Sequence, residues 1–188
     1  METPQHPAFK EYNTRNYSLQ GATVNLHHDN CFIYQKPVPA QPHEHLFVFN
    51  GPNGYPPTTE GYHRYLGDYS KALRRFAIIK QVPKHRIVIV LSLPRWNEKA
   101  EISHGKQMNL MKNWGLERKN EGFGVIYPYG HISDRLREPS ALFSRNDKGR
   151  MLHFSASVRQ RLNRMIGRKM ADIADSEMLF NEDNILNL

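Results

Sequence analysis

Between residues 60 and 79 the apolar positions recur at every third or fourth residue: Tyr62, Tyr65, Tyr69, Leu73, Phe76 and Ala77. That period lines them along one side of an α-helix, opened by Thr58-Thr59-Glu60, run to about Ile79 and ended by Pro83. The pattern then changes. Arg86-Ile-Val-Ile-Val-Leu-Ser-Leu93 is β-branched and lacks polar alternation. A strand of that kind is covered on both faces, which puts it at the centre of a sheet. Ile102, Met108, Leu110, Met111 and Trp114 predict a second helix over about 98–114, weakened by the interior Gly105. Another buried-looking strand, Glu121–Tyr127, follows and is closed by Pro128-Tyr-Gly130.

The flanking segments are less regular. Ala22–Leu26, Cys31–Tyr34 and Leu46–Phe49 are short strand-like runs, and His27-His-Asp-Asn30 reads as a hairpin loop between the first two. Pro37–Pro42 is an extended break, and Asn50–Gly54 is turn chemistry. Further on, Ser133–Phe143 reads as a short helix interrupted by Pro139, and Asn146–Gly149 as a turn. Met151–Phe154 is the last strand. Ser155-Ala-Ser157 offers an N-cap to a helix over about 158–179. Strands alternating with helices predict an α/β or α+β fold. It is a single layered domain with a mixed sheet, about three main helices and a C-terminal amphipathic helix. No internal repeat is present. The expected organisation is an N-terminal arm over 1–20, a globular domain over 21–173 and an acidic amphipathic tail over 174–188.

Charge changes the picture most. The 188 residues carry a formal +8, distributed unevenly. Residues 134–169 hold ten basic against three acidic side chains, whereas 170–188 hold five acids and no Lys or Arg. A basic surface of this size attracts polyanions at long range. The single Cys31 cannot form an intramolecular disulfide, and there is no Cys cluster for zinc. The first residues lack an apolar leader, and the longest apolar run, Ile87–Leu91, is too short to span a bilayer. A cytoplasmic protein with no membrane partner is expected.

The best-defined candidate site lies on the last helix. Val158, Leu162, Met165, Ile166, Met170 and Ile173 fall on one side, and Arg161, Arg164 and Arg168 share the other within about 60° of arc. Guanidinium groups fixed in a row suit phosphate, because each can donate a pair of hydrogen bonds to its oxygens. Arg159 and Lys169 project nearer the apolar arc. Arg135, Arg137, Arg145, Lys148 and Arg150 extend the basic region upstream, with Tyr127, Tyr129 and Phe143 as base-stacking candidates. Arg64, Lys71, Arg74 and Arg75 form a second basic set on the first long helix, read as a solvated face.

Two other chemistries are written in the chain. His27, His28, Asp29, His43 and His45 lie within 19 residues, and imidazole with carboxylate suits zinc, manganese or iron. No cofactor is predicted apart from a divalent metal at that cluster, which would activate water or a phosphodiester. Cys31 opens an apolar strand, where a buried inert thiol is expected. Asp172, Asp175, Glu177, Glu182 and Asp183 alternate with Ile173, Met178, Leu179, Phe180, Ile185, Leu186 and Leu188. Such a segment docks on a partner protein, folds back on the chain's own basic surface, or forms a C-terminal helix that closes the core. No P-loop, Gly-x-Gly-x-x-Gly, Gly-x-Ser-x-Gly or His-Glu-x-x-His motif is present, and no catalytic residue is assigned. The leading expectation is a protein that binds DNA or RNA through its phosphate backbone. A metal-dependent phosphodiesterase or nuclease built on the histidines ranks second. A non-enzymatic interaction module acting through 174–188 ranks third.

Overall fold

The computed structural model describes residues 23–27, 31, 33, 46–50, 58–91, 103–127, 143–145 and 151–185. In chain order these form β1 (Phe47–Asn50), α1 (Thr59–Ile79), β2 (Ile87–Val90), α2 (His104–Asn120), β3 (Gly124–Ile126), β4 (Phe143–Arg145), β5 (Met151–Phe154) and α3 (Ala156–Ile185). The fold is mixed α/β. Strands β1, β2 and β3 make a parallel sheet in that order, with Phe47 opposite Ile87 and Val88 opposite Gly124. Strands β4 and β5 pair antiparallel in a separate sheet. Among the described residues parallel and antiparallel pairings thus both occur, in separate sheets.

Strand β2 sits in the middle, as its unbroken β-branched run requires, and all four of its residues are buried. The alternation of side chains along the strand divides them between two cores. Ile87 and Ile89 join Tyr65, Leu73 and Phe76 of α1 and Met111 and Trp114 of α2. Val88 and Val90 join Ile126, against which Ile166, Met170 and Ile173 of α3 pack. Two successive crossovers of one hand across a sheet place their helices on the same side. Helices α1 and α2 therefore form one layer, the sheet a second and α3 a third. No helix among the described residues is long and apolar enough to cross a membrane.

Helix α1 starts where expected, with the Thr58 hydroxyl accepting from the Gly61 N–H at 3.1 Å. It stops through local backbone chemistry, ahead of Pro83. Gln81 adopts φ 52°, its N–H donates to Ile78 O, and the Val82 N–H donates to Ala77 O. That pair of bonds is a left-handed cap of the Schellman type. Helix α2 begins later than the spacing suggested, with Ser103 Oγ accepting from the Lys106 N–H. It also runs six residues past Trp114 before the same cap appears, now with Gly122 at φ 95°. The Gly122 N–H donates to Lys119 O and the Phe123 N–H to Arg118 O. Glu121 and Gly122 are consequently helix-capping residues and not the start of the strand.

The hairpin expected across His27–Asn30 is not formed by the pair described, because Thr23 and Cys31 make an isolated parallel bridge. Side chains turn the backbone there instead. Thr23 Oγ1 accepts from the Asn25 N–H at 3.2 Å, and Asn25 Oδ1 from the His27 N–H at 3.0 Å, the local competition with strand pairing that these residues favour. Cys31 is fully buried in the core. Phe143 opens β4 and so does not end a helix; the rest of the expected 133–143 helix lies outside the described residues. Helix α3 continues unbroken to Ile185. Residues 174–185 therefore extend that rod and do not fold back along it.

Candidate nucleic-acid interface

Helix α3 is fixed to the sheet by its inner side. Leu162 and Ala171 are buried, and Ile166, Met170 and Ile173 are half-buried against Val88, Val90 and Ile126. The 3.6-residue period then turns Arg161, Arg164 and Arg168 outward, and all three are exposed. Among the described residues no carboxylate pairs with any of them. From Arg161 to Arg168 the axis advances about 10 Å, a length over which duplex DNA carries about six phosphates. The arrangement offers cationic forks at fixed spacing on a helix that packing prevents from turning.

The flanking cations differ. Lys169 is exposed but held by Asp172 at 3.2 Å, with both side chains more than 60% accessible. Arg159 is also exposed; its position in the first turn of α3 lies ahead of the residues that pack on the sheet, which is why its angular proximity to the apolar arc does not bury it. Arg135, Arg137 and Arg150 lie outside the described residues, as do Lys148 and Tyr129. Tyr127 packs partly buried against the core, where desolvation pushes its phenol above the usual tyrosine range. Its ring is thus partly covered by the fold.

The second basic set is largely occupied. Arg64 pairs with Glu60 at 2.9 Å and Lys71 with Asp68 at 3.4 Å, each one turn away on α1. Arg74 donates to both oxygens of Glu121, with Nε at 2.9 Å from Oε2. Glu121 in turn receives Arg118 Nη2 at 2.7 Å. Arg118 is buried, its guanidinium 5.5 Å from the Trp114 ring centre, and it donates to Ser70 Oγ, which also accepts from Trp114 Nε1 at 2.7 Å. Arg74 chiefly, and then Arg118, hold the Glu121 carboxyl below the usual carboxylate range, against a burial penalty that acts the other way. This cluster binds α1 to α2, with Arg118 buried inside it and Arg74 at its half-exposed edge.

The proposed metal ligands are not assembled by what is described. His27 is exposed, and His28, Asp29, His43 and His45 lie outside the described residues. Among the described residues no group of three His, Cys, Asp or Glu side chains is placed to hold a metal ion. A feature that residue spacing did not reveal lies at the end of α1. Ile78 and Ile79 are 78% and 49% exposed beside Lys71, Arg74 and Arg75, and with Leu26 they line a shallow groove of about 550 Å³. The available signal was two isoleucines adjoining each other just after the last inward-facing pair, Phe76 and Ala77.

Comparison of the chain with protein-family models, with curated proteins and with solved structures gives no match.

Proposed function

We propose that the protein binds the phosphate backbone of a nucleic acid along the outward side of α3. Arg161, Arg164 and Arg168 are the contacts, with Arg159 and Lys169 at the margins and Arg135, Arg137 and Arg150 extending the basic path. The observation carrying this reading is that three arginines on a packed helix are exposed and free of carboxylates among the described residues. Cations that serve stability alone are more often placed as Arg64, Lys71 and Arg74 are, against an acid within reach. Charge acts in the same direction, since residues 134–169 concentrate the positive excess of the chain. Contacts of this type fix position and orientation but carry no base identity, so affinity is expected to vary little with sequence.

The test is a salt series of binding isotherms with single- and double-stranded DNA and RNA. Replacing Arg161, Arg164 and Arg168 together by Ala should lower the slope of log K against log salt by about 2 on single strands and about 3 on duplexes. The helical circular dichroism should stay unchanged, because all three side chains are exposed. An unaltered slope in a folded triple variant would remove the proposal.

A further inference from the structure

We propose that the groove at the end of α1 receives residues 174–188 from a second copy of this chain. The groove combines two properties that a solvated helix face does not need. Ile78 and Ile79 extend apolar surface into water directly after the last buried residues of α1, Phe76 and Ala77, and Leu26 adds to it. Around them stand Lys71, Arg74 and Arg75. Arg75 has no carboxylate partner among the described residues, whereas Arg74 is already held by Glu121. Exposed isoleucines with cations around them suit an occupant that is both apolar and acidic.

The sequence contains such an occupant. Residues 174–188 carry Asp175, Glu177, Glu182 and Asp183 with no Lys or Arg, interleaved with Met178, Leu179, Phe180, Ile185, Leu186 and Leu188. Acids would meet the cationic rim while large apolar side chains cover the isoleucines. A nucleic acid matches only half of this surface, since a phosphate backbone gains nothing from exposed isoleucine and the groove has no aromatic ring for a base.

Topology decides between the chain's own tail and another's. Helix α3 packs on the Val88 and Val90 side of the sheet, and α1 on the Ile87 and Ile89 side. Because α3 stays helical from Ala156 to Ile185, residues 174–185 continue along its axis and do not turn back over the sheet. The groove lies beyond the sheet and beyond α1, two layers of about 10 Å each. A neighbouring copy has no such restriction, and reciprocal exchange gives two equivalent contacts related by a two-fold axis.

The experiment measures molar mass by sedimentation over a concentration series at low and high salt. It uses the full chain, a chain lacking 174–188, and the double variant Arg75→Glu with Ile78→Asp. The full chain should self-associate, more weakly at high salt because the charged rim is screened. Each variant alone should weaken association by at least about tenfold, the loss expected from one buried isoleucine and its charged neighbour. Mixing the shortened chain with the double variant should restore a one-to-one pair, since one brings a groove and the other a tail. If the shortened chain does not fold, Glu182→Lys with Asp183→Lys in the full chain supplies the tail variant. A full chain that stays monomeric, or association that survives both variants, overturns the proposal. So does a double variant that loses oligonucleotide binding while its mass is unchanged, which would assign the groove to nucleic acid.

Discussion

Glu121 shows how one residue can hold two helices together. It caps α2, accepts both nitrogens of the Arg74 fork from α1, and neutralises the buried Arg118. Its folded pKa is depressed, so its stabilisation is complete above the ordinary glutamate range and disappears as pH falls through the lowered value. Acid unfolding monitored by circular dichroism should therefore be steeper in the wild type than in Glu121→Gln, and the two stabilities should converge at low pH. A constant gap between them would show that the carboxylate charge is not the source. Gln81 makes a second prediction at this scale. It occupies φ 52° without being glycine, a conformation that costs an ordinary residue about 1 kcal/mol. Gln81→Gly should raise the melting temperature by about 2–4 °C, less whatever the glycine gains in unfolded-chain freedom. Gly122→Ala, at φ 95°, should shift it down by a similar amount.

Elements differ in how much of themselves their sequence discloses. Helix α1 was legible because its inward positions are all Tyr, Leu, Phe, Ala and Ser, so hydropathy and burial have the same period. In α2 the inward stripe is Gln107, Met108, Met111, Trp114, Gly115 and Arg118. Two of those six are strongly polar, so an apolar search stops at Trp114, one turn short of a buried guanidinium. Gly115 has a separate reason to be inward. A Cβ there would stand 2.6 Å from Leu91 Cδ1, so glycine lets the helix approach the sheet. On α3 the inner side and the arginine side are separable by substitution. Ile166→Ala should lower stability by about 1–3 kcal/mol in urea unfolding, reduced from a full core deletion because the site is half-buried. Its salt slope for nucleic acid should remain that of the wild type. Equal effects on stability and slope would mean that the two sides of the helix are not independent.

At the scale of the whole molecule, α3 is the third layer that makes the sheet tenable. A parallel sheet is apolar on both faces and needs cover on both. Without α3, Val88, Val90 and Ile126 lose the covering of Ile166, Met170 and Ile173. A chain ending at residue 155 should accordingly lose cooperative thermal unfolding and aggregate, and a soluble, cooperatively folded fragment would contradict the layered assignment. The same arrangement gives the arginine side of α3 its rigidity and keeps its far end away from α1. The candidate site was legible to the extent that helical period sorted Arg161, Arg164 and Arg168 away from the apolar positions. The groove was not, because its cations and isoleucines belong to one helix face whose partner period does not name.

Residue order alone therefore determined the local features that depend on spacing. These were the two first helices, the doubly buried β2, the last strand and the separation of arginines from apolar residues on α3. Each follows from backbone periodicity acting on the residues of one segment. Folding in three dimensions decided what depends on distant segments meeting. It chose which face each of Ile87 and Val88 serves, and it set Arg118 inside the α1–α2 seam instead of on the surface. Among the described residues it also left Arg161, Arg164 and Arg168 without acids while giving one to Arg74. Such outcomes depend on solvent exclusion and charge pairing between elements as far apart as Arg74 and Glu121, which no local pattern encodes.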